Sequence, residues 1–123
     1  MISFFKCNKC GNVIVKVVEK SESIDCCEEP MKKLIPGEID AASEKHVPVI
    51  IKENDKITVN IGEVFHPMEE KHYISFILIE TASGFQIKYL NYKDEPKATF
   101  IVDEDIIAVY EYCTLHGLWK KEL

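Results

Sequence analysis

The chain has 123 residues, 46% of them apolar, and a formal net charge of −6. That length suits one ordinary domain, or a small one beside a tiny one, with enough apolar material for a buried core. The negative balance argues against nucleic acid or an anionic membrane as partner, and no apolar run reaches the roughly 18 residues of a membrane span.

The opening MISFFKCNKC lacks the basic, apolar and small-residue order of a secretory signal, so a soluble, cytoplasmic protein is expected. Residues 1 to 36 hold four of the five cysteines and no histidine. Their β-rich pieces FFKC, NVIVKVV and KKLI are short, and so few residues cannot build an adequate core without a metal to replace it. The stretch IPGEIDAASEKH reads as a linker, with DAASEK able to form one helical turn. Residues 37 to 123 then run strand after strand: VPVIIK, KITVNI, HYISFILIE, FQIKYL, ATFIV and IIAVYEY. Val, Ile, Phe and Tyr dominate, period-2 alternation is clearest in KITVNI, and Asn54-Asp55 and Ser83-Gly84 supply hairpin turns. The fold class expected is all-β: a small metal-binding domain over 1–36, followed by an immunoglobulin-like β-sandwich over 37–123.

Two constellations carry chemistry. The first is Cys7-x-x-Cys10-Gly11 with the adjacent pair Cys26-Cys27. A C-x-x-C turn lets two thiolates face one metal, and Gly11 permits the positive φ that turns backbone N–H groups toward sulfur. The second pair is C-C rather than C-x-x-C, which predicts a distorted angle at a shared metal. Spacing alone leaves a structural zinc ribbon ahead of an iron site, and a disulfide reading behind both.

The second is His46, His66, His72, Cys113 and His116. A lone histidine is ordinarily a surface or hydrogen-bonded residue. These five, however, all fall at loops or strand ends of the expected sandwich, where they can converge. A catalytic thiol with its base would use Cys113 and His116 and leave three histidines unexplained. A zinc site would leave one ligand spare. Four imidazoles and one thiolate suit iron with an open sixth position, the thiolate donating toward whatever binds opposite.

The segments CNKC…CC, EKHVP, HPMEEKHYI and CTLHGLWK resemble desulfoferrodoxin, the two-iron class of superoxide reductase, over essentially the whole chain. The resemblance implies that Cys7, Cys10, Cys26 and Cys27 hold a rubredoxin-like iron in a desulforedoxin-like domain. It implies a second, catalytic iron on His46, His66 and His72 through Nε2, His116 through Nδ1, and Cys113 as axial thiolate. Glu44 corresponds to the glutamate that ligates the resting ferric iron, and Lys45 to the lysine beside the open position. The activity implied is one-electron reduction of superoxide to hydrogen peroxide, with re-reduction by an external donor such as rubredoxin, in a homodimer.

Without that resemblance, Glu44-Lys45 reads as a solvated surface pair. Lys71, Glu69 and Glu70 read as a charged turn, and Trp119 as packing over the thiolate loop rather than an electron relay. Two rival functions remain at this level: an electron carrier whose histidine site is structural, and a zinc-ribbon interaction module.

Overall fold

In a computed structural model, residues 2–39, 41–62 and 66–123 are described. The chain divides into two compact units, Met1–Ile35 and Pro36–Leu123, one residue from the boundary expected at the Pro36-Gly37 turn.

The first unit has five short strands. β1 (Ser3–Lys6) lies between β2 (Val13–Lys16) and β5 (Lys32–Lys33), antiparallel to both. β3 (Asp25–Cys26) and β4 (Glu29–Pro30) form a separate two-residue ladder. Its core cluster is Phe5, Cys7 and Met31, with Ile14, Ile24 and Cys26 partly buried against it. Full burial of one apolar side chain contributes about 1.5–3 kcal/mol, whereas ordering each residue costs about 1–2 kcal/mol. A cluster this small needs a further cross-link, and two of its residues, Cys7 and Cys26, belong to the cysteine site.

The described residues of the second unit form a sandwich of seven strands. A single helical turn, α1 (Ser43–His46), precedes β6 (Pro48–Glu53), β7 (Lys56–Ile61), β8 (Ile74–Thr81), β9 (Gly84–Tyr89), β10 (Lys97–Ile101), β11 (Ile106–Cys113) and β12 (Gly117–Glu122). One sheet has the order β10-β7-β6, the other β12-β11-β8-β9, and every pairing is antiparallel. In β7, Ile57, Val59 and Ile61 are buried and the residues between them are more exposed, the alternation expected of KITVNI. These pack with Phe100 of β10, Ile77 and Ile79 of β8, and Val109 and Cys113 of β11 in one cluster. Asn54 turns the β6–β7 hairpin at φ +55°.

One strand departs from the sequence expectation. Residues 117–122 pair with β11 from Cys113↔Gly117 to Ala108↔Glu122. Their Lys120-Lys121-Glu122 ending hides an edge strand whose first three residues are buried. This pairing closes a tight hairpin over Cys113-Thr114-Leu115-His116 and thereby places the cysteine and the histidine of that turn.

Candidate metal centres

In the first unit the four thiols meet. The sulfurs of Cys7, Cys10, Cys26 and Cys27 all lie within 4.8 Å of one another. The Cys10–Cys26 separation is 3.6 Å and the Cys26–Cys27 separation 4.0 Å. A tetrahedral ion with metal–sulfur bonds of about 2.3 Å needs sulfur–sulfur edges of about 3.8 Å, so these separations fit one ion. The Cys7-x-x-Cys10 turn closes through Gly11 N–H to the Cys7 carbonyl (2.9 Å) and Cys7 N–H to the Asn12 carbonyl (2.9 Å), with Gly11 at φ +84°. Cys10 N–H points at Cys7 Sγ, 3.5 Å away.

The adjacent pair solves its angle differently. Cys27 and Glu28 both take left-handed conformations, φ +53° and +65°, which swings Cys27 back toward the sulfur of Cys26. The acidities express the crowding. The Cys10 backbone N–H holds the Cys7 thiol down at about 6, while hydrogen bonding to Cys10 pushes Cys27 up to about 12 and hydrogen bonding to Cys7 raises Cys26. One thiolate is favoured at the expense of its neighbours, and a cation shared by all four removes that conflict.

In the second unit, four imidazoles form a closed circuit. Ring centroids are 4.6 Å apart for His46–His66, 4.9 Å for His66–His72, 4.9 Å for His72–His116 and 5.0 Å for His116–His46. Every neighbouring pair is edge-to-face, with interplanar angles from 69° to 87°. Taken as a square, the circuit puts each centroid about 3.4 Å from a common centre. A first-row ion bonded to imidazole nitrogen at about 2.1 Å, the centroid about 1.2 Å behind, requires about 3.3 Å. Cys113 joins both halves: its sulfur lies within 4.8 Å of ligand atoms of His46 and His116, and likewise of His66 and His72.

The donors come from separate elements. His46 ends α1; His72 closes the turn that starts at His66, held by reciprocal Glu69–His72 backbone bonds of 2.9 and 3.0 Å; Cys113 ends β11; His116 sits in the following turn. Nitrogen chemistry agrees with a shared ion. His66 Nδ1–H donates to the Pro67 carbonyl at 2.7 Å, which leaves its Nε2 with a free lone pair. His66 Nε2, His72 Nε2 and His116 Nδ1 are buried without a partner among the described residues. Buried polar atoms are seldom left so, because each costs about 1–3 kcal/mol.

Burial, with neighbouring imidazoles in second place for His46, depresses the histidines' affinity for protons. His46 and His66 fall to about 4, and His72 is lowered. The Lys45 ammonium contributes to all three shifts, so its field reaches the circuit. Burial raises the Cys113 thiol, partly opposed by the His116 backbone N–H, 3.4 Å from its sulfur. Neutral imidazoles beside a thiol that resists ionisation make a site built for a cation.

Glu44 and Lys45 are exposed on α1, while Glu69, Glu70 and Lys71 are exposed on the turn before His72. Trp119 stacks on His46 (4.8 Å, 12°) and donates Nε1–H to the His116 carbonyl at 3.1 Å, so it packs over the thiolate loop as expected.

Glu111 escaped the sequence reading. It is fully buried, its Oε2 lies 3.4 Å from His46 Nδ1, and neither oxygen is hydrogen-bonded among the described residues. Burial pushes its carboxyl well above the usual carboxylate range. The only sequence signal was parity: Val109, Glu111 and Cys113 share one face of β11.

Comparison with known proteins is consistent across the chain. The desulfoferrodoxin family profile matches residues 38–122. Desulfoferrodoxin from Syntrophotalea carbinolica is 43% identical over 98% of this chain and 96% of its own. The crystal structure of the superoxide reductase from Treponema pallidum superposes with a TM-score of 0.84 at 30% identity, covering 99% of this chain and 98% of its own. The one-iron superoxide reductase from Giardia intestinalis has a TM-score of 0.55 at 34% identity, covering 65% of this chain and 99% of its own. Similarity that runs through both units, at this identity and with this backbone agreement, makes the chain a member of the desulfoferrodoxin family.

Proposed function

We propose that this protein is a superoxide reductase, converting superoxide, one electron and two protons into hydrogen peroxide without releasing dioxygen. The circuit of four imidazoles over the buried Cys113 sulfur, with inward nitrogens left unpartnered, carries this reading. His46, His66, His72, His116 and Cys113 would hold the catalytic iron. Cys7, Cys10, Cys26 and Cys27 would hold a second, rubredoxin-like iron, giving a desulforedoxin-like domain over 1–36 and the reductase sandwich over 37–123. The one-iron reductase that matches about two thirds of this chain supports that division, since the remaining third then accounts for the extra site.

Bound at the histidines, iron supplies the single electron. The rest is done by the chain. Lys45 places a cation beside the site of a protein that is negative overall, drawing in the superoxide anion. Cys113, buried against the imidazole circuit, would give the iron a thiolate ligand whose electron donation would weaken its hold on the peroxide product. Glu44, exposed on the same turn, would offer a carboxylate to the iron between turnovers. Trp119 and the β11–β12 hairpin hold His46, His116 and Cys113 in register. An external one-electron donor such as rubredoxin resets the protein, which functions as a homodimer in the cytoplasm. Among the described residues no helix is long and apolar enough to cross a membrane.

The test is pulse radiolysis of iron-loaded, reduced protein with metal analysis of the same sample. Near two irons per chain and superoxide consumption without dioxygen are expected, and Cys113→Ser should abolish the activity while sparing the red tetrathiolate spectrum. Activity that survives Cys113→Ser would overturn the assignment of Cys113 to the catalytic iron. Dioxygen release would overturn reduction as the reaction. A colourless protein carrying zinc at the four cysteines would favour the zinc-ribbon reading of that unit.

A further inference from the structure

We propose that Asn12 is a positioning residue for the four-thiol site, its carboxamide N–H donated to Cys26 Sγ so as to stabilise the reduced state of the iron held there. The inference rests on the two-iron reading above and adds a determinant of that centre's potential.

The two cysteine pairs are not equally supplied with donors. The Cys7-x-x-Cys10 turn carries its own, Cys10 N–H toward Cys7 Sγ at 3.5 Å. The adjacent pair sits on a two-residue ladder, with Cys27 and Glu28 in left-handed conformations, and lacks the intervening residues whose amides would fold back on the first sulfur. Among the described residues, the nitrogen that approaches Cys26 Sγ is Asn12 Nδ2, at 3.8 Å. That is a long hydrogen bond for a sulfur acceptor, beside 3.5 Å for Cys10 N–H to Cys7 Sγ.

Asn12 is also held in place. Its carbonyl accepts the Cys7 N–H at 2.9 Å, closing the same turn that Gly11 N–H closes onto the Cys7 carbonyl. The first knuckle thus lends a side-chain donor to the second, across the metal position.

The direction of the effect follows from charge. Four thiolates around iron(III) carry a net charge of −1, and around iron(II) −2. The added electron increases the charge on sulfur, no bond being made or broken, so an N–H donor stabilises the reduced state more than the oxidised one. Asn12 is exposed, and water replaces part of the lost interaction. The expected effect is therefore about threefold in the equilibrium with a one-electron donor, which is about 30 mV.

The experiment is a potentiometric titration of the full-length iron-loaded protein, followed in the visible, for wild type, Asn12→Leu and the isosteric Asn12→Asp. Both variants should lower the midpoint of the tetrathiolate centre by about 30 mV or more, with Asp lowering it further because it adds negative charge. The histidine-site midpoint should not move. An unshifted or raised tetrathiolate midpoint in Asn12→Leu would overturn the role of Asn12. Should Asn12→Leu fail to load iron, the uncharged Asn12→Ala takes its place under the same criterion. Wild-type protein lacking the tetrathiolate spectrum would instead sink the two-iron reading on which the inference stands.

Discussion

Gly62 lies outside every cysteine and histidine motif, yet Gly62→Ala should damage the histidine site. Its φ is +80°, and a Cβ built there falls 2.5 Å from the Lys45 carbonyl oxygen, 2.6 Å from its carbon and 2.7 Å from its Cα. All three are backbone atoms, so no side chain can swing aside. Reaching ordinary contact requires a separation of about 1 Å more. The left-handed conformation costs an L-residue about 1–2 kcal/mol, and forcing packed elements apart adds about 1–3 kcal/mol. The sum, about 2–5 kcal/mol, lowers the melting temperature of a unit this size by on the order of 10 °C. The strain falls on Lys45, one residue before His46, and on the Gly62 N–H to Val47 carbonyl bond of 3.1 Å. Misplacement of that size can cost up to about a hundredfold in rate. Gly37→Ala is the control: its φ is +74°, but the nearest atom is Trp119 Cζ3 at 3.9 Å, so only the backbone cost of about 1–2 kcal/mol applies. Thermal unfolding at matched iron content, with pulse radiolysis of both variants, provides the measurement. Equal melting shifts for the two glycines, or wild-type superoxide kinetics in Gly62→Ala, would refute the contact argument.

Lys45→Ile should slow the first encounter with superoxide by about tenfold and flatten its ionic-strength dependence, whereas Glu44→Ala should leave the encounter unchanged or slightly faster and alter the ferric spectrum. Equal slowing by both would reduce the pair to a structural surface feature. Glu111→Leu should act with opposite signs in the two metal states. Removing a buried carboxyl that has no hydrogen bond among the described residues should stabilise metal-free protein in urea melts, while losing the oxygen beside His46 Nδ1 should weaken iron retention by about 10- to 100-fold in chelator competition. Unchanged iron affinity would mean that Glu111 does not orient His46. Metal-free protein should also lose stability as pH falls from about 6.5 toward 4. In that window the unfolded chain protonates His46 and His66, whose folded values are about 4, so the unfolded state binds more protons and stability rises with pH. Urea midpoints equal at pH 7 and pH 5 would contradict the burial assigned to these rings.

The nine thiols and imidazoles stand out in the sequence because metal donors are chemically distinctive and several come in fixed local spacings. Cys7-x-x-Cys10, the His66–His72 segment and Cys113-x-x-His116 can each be read within one turn. Strand content was equally legible, since alternation as in Lys56–Ile61 is a property of neighbouring residues. Long-range placement was not. The charged residues after Trp119 carry no alternating apolar pattern, and only pairing with β11 makes them an edge strand, because edge strands tolerate charge on their open side. The adjacent cysteines read as a strained pair, and only the left-handed turn at Cys27 and Glu28 relieved the angle. Gly62 carries no local signal and Glu111 only its parity on β11, because each acts on a residue elsewhere in the chain: Glu111 on the His46 ring, Gly62 on the Lys45 backbone. Donor identity is written in side-chain chemistry; burial and close approach exist only when distant segments meet, and the folded chain alone decides them.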